Sequence, residues 1–183
     1  MAEPPLFDPE VIFRVLEKHE VHYVLIGGLA ATLHGSPHVT TDVDITPDRD
    51  PANLGRLAAA LDALDARIRV EGEPGGLRFD RSPETLARTA ILNLTTRHGD
   101  LDVTLEPAGT AGYEDLRRHA IRIEIRGTTI VVASLADVVR SKEAAGREKD
   151  RLTLPTLRRL LERLQGDRPA DPLLDEPPVT GAD

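Results

Sequence analysis

Between Val21 and Asp50 the chain reads VHYVLIGGLAATLHGSPHVTTDVDITPDRD, and this stretch limits the fold more than any other. VHYVLI is a short apolar run rich in β-branched and aromatic residues that stops at Gly27-Gly28, as a buried strand running into a turn does. After a turn and a helix, TTDVDITPD alternates: Thr40, Asp42 and Asp44 fall on one face, Val43 and Ile45 on the other, the pattern of a strand covered on one side. Aspartates at i, i+2 on a strand project the same way, about 7 Å apart along the chain. They repel one another unless a cation neutralises them, and Mg²⁺ is usually bound by one or two carboxylates together with substrate phosphates. The glycine pair is the complement. A strand that ends in Gly27-Gly28 and enters a helix at Leu29 lets the backbone approach a phosphate while free helix N–H groups point at it.

The remaining elements follow from periodicity and caps. FDPEVIFRVLEKHE carries Val11, Ile12, Val15 and Leu16 at helical spacing behind Asp8 as N-cap and Pro9 at the first helical position. PANLGRLAAALDALDARI places Leu54, Leu57, Ala58, Leu61 and Leu64 on one helical stripe. EGEPGGLRFDRSPETL is expected to be loop. TAILNLTTRHGDLDVTLEP is expected to be a hairpin turning near His98-Gly99-Asp100, and IRIEIRGTTIVVAS a second one turning near Gly127. SLADVVRSKEAAG opens with the capping pattern Ser134-x-x-Asp137 and closes at Gly146, and LPTLRRLLERLQG repeats a helical spacing at Leu157, Leu160, Leu161 and Leu164. The order is helix, strand, helix, strand, helix, hairpin, hairpin, helix, helix. That order predicts one α/β domain over residues 1–167, built on a small mixed β-sheet flanked by helices with two more helices at the C-terminus. Residues 168–183, in DRPADPLLDEPPVTGAD, are acidic and proline-rich with little apolar content, and are expected to be a disordered tail.

Composition removes several classes of function. There is no cysteine, so the chemistry rests on oxygen and nitrogen groups, without thiolate metal sites or a cysteine nucleophile. No apolar run approaches the ~20 residues of a membrane helix, and MAEPPLFDPE has neither the basic nor the apolar segment of a signal peptide, so a cytoplasmic location with no membrane partner is expected. A formal net charge of -8, three Phe, two Tyr and no Trp argue against a general nucleic-acid coat and supply little base stacking. An EF-hand loop counted from Asp42 would put Pro47 at the sixth position and Asn53 at the twelfth, where glycine and glutamate are needed, which excludes calcium binding of that kind. P-loop, G-x-G-x-x-G, H-E-x-x-H and G-x-S-x-G patterns are absent.

In order and spacing, GGLAATLHGSPHVTTDVDI resembles the signature of the nucleotidyltransferase superfamily, in which a glycine pair leads to D-x-D and a third carboxylate follows on a neighbouring strand. SKEAAGREKDRLTLPTL resembles the K…R-x-K-D segment of AbiEii-type and MenT-like bacterial toxin nucleotidyltransferases. The two blocks anchor roughly residues 24–157. The chain departs from the family pattern at His38 and Thr41, where a basic residue is expected.

The resemblance implies transfer of a nucleoside monophosphate from an NTP with Mg²⁺ (or Mn²⁺), with a tRNA 3′ end as acceptor, the toxin role of a toxin–antitoxin system and a cognate antitoxin protein as partner. It further implies that Gly27 and Gly28 hold the triphosphate through backbone N–H groups, that Thr40 adds a hydroxyl, and that Asp42 and Asp44 bind metal. Asp102 is the candidate third carboxylate: DLDVTLE buries Leu101, Val103 and Leu105 and turns Asp100, Asp102 and Thr104 the other way, so Asp102 either ligates metal or takes the proton of the attacking hydroxyl. Lys142 becomes a phosphate ligand. Asp150, with Arg147 close in sequence, either orients Lys142 or begins the next helix as a cap. The other histidines, His19, His22, His34, His98 and His119, lack ligand spacing and read as structural or solvent-exposed. The basic residues from Arg140 to Arg168 suit a solvated helix face as well as an RNA patch. A protein or small-molecule acceptor, or a degenerate domain that binds nucleotide or a partner without turnover, are the rival readings.

Overall fold

The structure, a computed structural model, describes residues 7–166. Helix α1 (Pro9–Lys18) starts where the sequence places it, with the Asp8 carboxylate accepting from the Val11 N–H. Strand β1 (Tyr23–Ile26) runs directly into α2 (Gly27–Leu33), β2 (Asp42–Pro47) follows, and α3 (Pro51–Ala63) is capped by Asp50, which accepts from the Ala52 and Asn53 N–H groups. The expected hairpins are β5 (Ile91–Thr96) with β6 (Gly99–Thr104), and β7 (Ile121–Ile125) with β8 (Thr128–Val132). The second turns at Arg126 and Gly127, both at positive φ (48° and 86°), as a two-residue turn matched to strand twist requires. Helix α6 (Leu135–Ala145) begins with Ser134 accepting from the Asp137 N–H and ends at Gly146 in the left-handed region. Helix α7 (Glu148–Gly166) begins a turn and a half earlier than the leucine spacing indicates. The proposed tail, 168–183, lies outside the described residues.

The segment expected to be loop is structured. Helix α3 stops at Ala63, and Asp65 takes up positive φ (48°), so the chain leaves the helix five residues before the Leu/Ala pattern does. Strands β3 (Arg67–Val70) and β4 (Glu73–Leu77) then form an antiparallel hairpin around Gly72, and a short helix α4 (Pro83–Arg88) follows, capped by Ser82. Strand β4 is the sheet edge and is exposed almost throughout, so no buried face imposes alternation on its sequence. Another short helix, α5 (Tyr113–Arg117), was not foreseen either.

Among the described residues the sheet therefore has eight strands, two more than the sequence order gives, arranged β4-β3-β5-β6-β2-β1-β8-β7. It is mixed as expected: β1/β8 and β2/β6 are parallel and the other pairs antiparallel. Val43 and Ile45 of β2, Leu101 and Val103 of β6, and Leu92 and Leu94 of β5 form the buried face at its centre. On β2 and β6 the register pairs Asp42 with Asp100 and Asp44 with Asp102, so the acidic positions of two parallel strands share the opposite face.

A buried amide fixes the far ends of β1 and β2. Asn53 of α3 is fully buried; its Oδ1 accepts from the His22 N–H (2.8 Å), and its Nδ2 donates to the carbonyls of His22 (2.9 Å) and Asp48 (2.8 Å). Replacing Asn53 by Leu keeps the volume but leaves those backbone groups without partners. A loss of about 2–4 kcal/mol in urea unfolding is expected; an unchanged midpoint would contradict the assignment.

Candidate active site

One oxygen from each of Asp42, Asp44 and Asp102 lies within 4.8 Å of the others. The strand register brings this about, since Asp44 and Asp102 sit side by side on paired strands and Asp42 is two residues back on the same face. Burial, reinforced by the neighbouring charges of Asp42 and Asp102, pushes the Asp44 carboxyl up to about 7, and the ammonium groups of Lys149 and Lys142 oppose the rise. Asp102 is likewise raised, first by burial, against the opposing guanidinium of Arg69. A carboxylate that resists ionising beside two others is a site lacking positive charge. The ligand set is oxygen only, which suits Mg²⁺ or Mn²⁺.

The glycine pair makes this arrangement possible. A Cβ built on Gly27, which has φ of +71°, would stand 2.0 Å from Asp44 Oδ2, and one built on Gly28 would stand 2.7 Å from Thr40 Oγ1. Gly27 thus leaves room for a side chain of the acidic strand and Gly28 for one of the segment that leads into it, a role that the sequence did not reveal beside the one proposed for their N–H groups. Thr40 donates its hydroxyl proton to Asp42 Oδ1 at 2.5 Å and so fixes the orientation of that carboxylate. His38 reaches the same cleft with its Nε2 buried and without a hydrogen-bond partner among the described residues.

The cationic side comes from α6 and α7. Asp150 is fully buried in the first turn of α7 and accepts from Lys142 Nζ (2.8 Å) and Arg147 Nε (2.7 Å). Of the two roles open to it in the sequence, the contact with Lys142 is made. Burial alone would raise this carboxyl, but the hydrogen bonds from Arg147 and Lys142 outweigh it and hold Asp150 below the usual range. Two cations on one carboxylate leave a net positive charge here. Lys142, Arg147 and Lys149 line one cleft of about 550 Å³ together with Gly27, Gly28, Thr40, Asp42 and Asp44, while Thr104 and Glu106 extend the lining past the end of β6. Lys149 was not singled out by sequence reasoning, where it belongs to a basic run that suits a solvated helix face as well as an RNA patch.

Arg69 was also missed. From β3 it reaches over β5 to β6, where its Nη2 lies 2.8 and 3.0 Å from the two oxygens of Asp102 and its Nη1 bonds to Asp100. The alternation in Arg-Ile-Arg-Val was the available signal, hidden because the preceding helical pattern continues into it.

The Asp44 shift sets a pH dependence. In metal-free folded protein Asp44 holds its proton to about pH 7, whereas the unfolded side chain titrates near 3.8. The folded state binds the extra proton between those values, so its stability falls as pH rises through that window and stays low above it. With chelator present, wild-type stability relative to Asp44→Asn is expected to drop between about pH 4 and 7 by on the order of 2–4 kcal/mol and to stay level above that, and Mg²⁺ is expected to reverse the drop. Parallel curves for the two proteins would contradict this. Gly27→Ala is expected to fold less stably, by more than about 1 kcal/mol, because the new methyl has no compatible backbone angle or space; wild-type stability on thermal unfolding would refute the close approach.

No protein-family model and no curated protein sequence matches the chain. Two of the solved structures that are similar in fold carry the comparison. One is a Thermotoga maritima protein provisionally named a nucleotidyltransferase (18% identity, TM-score 0.52, covering 87% of this chain and 97% of that one). The other is the lincosamide antibiotic adenylyltransferase LnuA, solved with lincomycin bound (14% identity, TM-score 0.56, covering 85% of this chain and 99% of that one). Both likenesses run over nearly the whole described chain, and they establish that it has a nucleotidyltransferase-like fold.

Proposed function

We propose that the chain is a metal-dependent nucleotidyltransferase that moves a nucleoside monophosphate from an NTP to an acceptor hydroxyl and releases diphosphate. The observation that carries this reading is the convergence of Asp42, Asp44 and Asp102 beside a cleft that also holds Lys142, Arg147 and Lys149. Asp42 and Asp44 would hold the ion, with Asp102 as third ligand or as base. When bound, Mg²⁺ or Mn²⁺ neutralises charge on the phosphoryl group in transfer and on the diphosphate that leaves. Thr40 orients Asp42, and the bare Cα of Gly27 admits Asp44. Lys142, tethered by Asp150, is a pre-positioned point charge for the triphosphate, and Arg147 and Lys149 extend that field. The acceptor oxygen attacks the α-phosphorus, the bond to the β-phosphate oxygen breaks with its electron pair going to diphosphate, and the acceptor proton passes to a carboxylate, for which Asp102 is the candidate.

The sequence resemblance to AbiEii-type and MenT-like toxins favours a tRNA 3′ end as acceptor and a cognate antitoxin as partner. A cleft with a few fixed cations suits a backbone contact that reads no bases, and the overall acidity implies weak, salt-sensitive RNA binding. The likeness in fold to LnuA favours a second reading, a small hydroxylated molecule as acceptor.

Incubating the protein with Mg²⁺, each α-labelled NTP and pools of small RNA, protein and hydroxylated small molecules is expected to label one pool from one preferred NTP. Label at the 3′ end of small RNA supports the first acceptor, label on a small molecule the second, and no label in any pool the non-catalytic binding module. Asp42→Ala is expected to lower transfer by about 10³-fold or more with the fold retained. Asp150→Asn, which frees Lys142 and Arg147 together, is expected to cost about 10–100-fold; full activity in either variant would remove that residue from the site.

A further inference from the structure

The four carboxylates on the open face of β2 and β6 are unequally neutralised. Among the described residues neither Asp42 nor Asp44 forms an ion pair, and the one hydrogen bond recorded between their side chains and a neighbour comes from the neutral hydroxyl of Thr40. Asp100 and Asp102, by contrast, share the guanidinium of Arg69. Its Nη2 engages both oxygens of Asp102, and its Nη1 engages Asp100. The contact is sheltered, with the Asp102 side chain 16% and that of Arg69 35% exposed. A divalent ion bridging Asp44 to Asp102 would have to share the Asp102 oxygens with donors 2.8–3.0 Å away that already carry a full positive charge. Among the described residues no cation is bonded to the oxygens of Asp42 or Asp44 in this way: Lys142 and Lys149 act on Asp44 without forming an ion pair, and Arg69 comes from β3, which β5 and β6 separate from β2.

We infer that Arg69 is the built-in cation of Asp102, so that the centre takes up a single divalent ion, held by Asp42 and Asp44, where three converging carboxylates alone would accommodate two. Arg69 is then a positioning residue. It spans carboxylates at i and i+2 of one strand with the two arms of a planar fork, and it fixes where the ion sits by occupying the alternative place. This deepens the proposed function and rests on it.

The test is a Mn²⁺ titration of the chelator-treated full chain, followed through the free-ion paramagnetic resonance signal to saturation. Wild type is expected to bind one Mn²⁺ per chain. Arg69→Gln, which keeps a polar side chain and removes the charge, is expected to bind two, with the broadened spectrum of ions about 4 Å apart. Arg69→Lys, which keeps the charge, is expected to stay at one. Two ions in wild type, one in Arg69→Gln, or two in Arg69→Lys would each overturn the inference while leaving the transfer reading intact. No ion in wild type would remove the metal centre itself, and the inference with it. Should Arg69→Gln fail to fold, Arg69→Met, which keeps the apolar stem and removes the charge, takes its place: two ions are expected, and one ion would overturn the inference.

Discussion

The Asp44 side chain stands in the space that any side chain at Gly27 would fill, and Oδ2 would lie only 2.0 Å from a Cβ there. That packing ties the end of β1 to the acidic strand. It holds a partly buried carboxylate against the turn into α2 and next to two others, where β2 lies between β1 and β6. The rise of Asp44 to about 7 expresses the strain of the arrangement in electrostatic form. A cation held by these carboxylates would relieve that strain, which is why the proposed function places one there.

Around this point the fixed charges are divided by element. Strand β3 supplies Arg69 to the β6 carboxylates, α6, the start of α7 and the turn between them supply Lys142, Lys149 and Arg147 to the cleft, and β2 supplies the two aspartates that have no ion pair among the described residues. Asp150 is what keeps the cationic side rigid, because one buried carboxylate restrains two side chains that would otherwise sample many rotamers. The backbone beneath is restrained too: Asn53 fastens the ends of β1 and β2 opposite the site, so the strand that leads into Gly27 and the strand that carries Asp44 are tied together at both ends.

Much of this was legible from local rules. The caps at Asp8, Ser134 and Gly146 act through contacts within three or four residues, and each element begins or ends where those residues put it. The D-x-D alternation and the burial of Leu101 and Val103 fixed which way Asp42, Asp44 and Asp102 face. What was hidden depends on partners distant in sequence. Arg69 is 33 residues from Asp102 and follows a helix whose apolar pattern runs on past its end. Strand β4 has no buried face to give it a period, and the buried Asn53 gains its meaning only from backbone groups of His22 and Asp48. The reason for a glycine at position 27 is likewise a side chain 17 residues away.

The central claim is that Asp42 and Asp44 hold an ion that meets a triphosphate between Gly28 and Lys142. A crystal structure of the chain with Mn²⁺ and a non-hydrolysable NTP analogue tests it most directly, through anomalous scattering from the metal. The account predicts a Mn²⁺ peak bonded to oxygens of Asp42 and Asp44, with the analogue's phosphates on the side of Lys142. A triphosphate bound elsewhere on the chain, or bound in the cleft with no metal at these two aspartates, would contradict it.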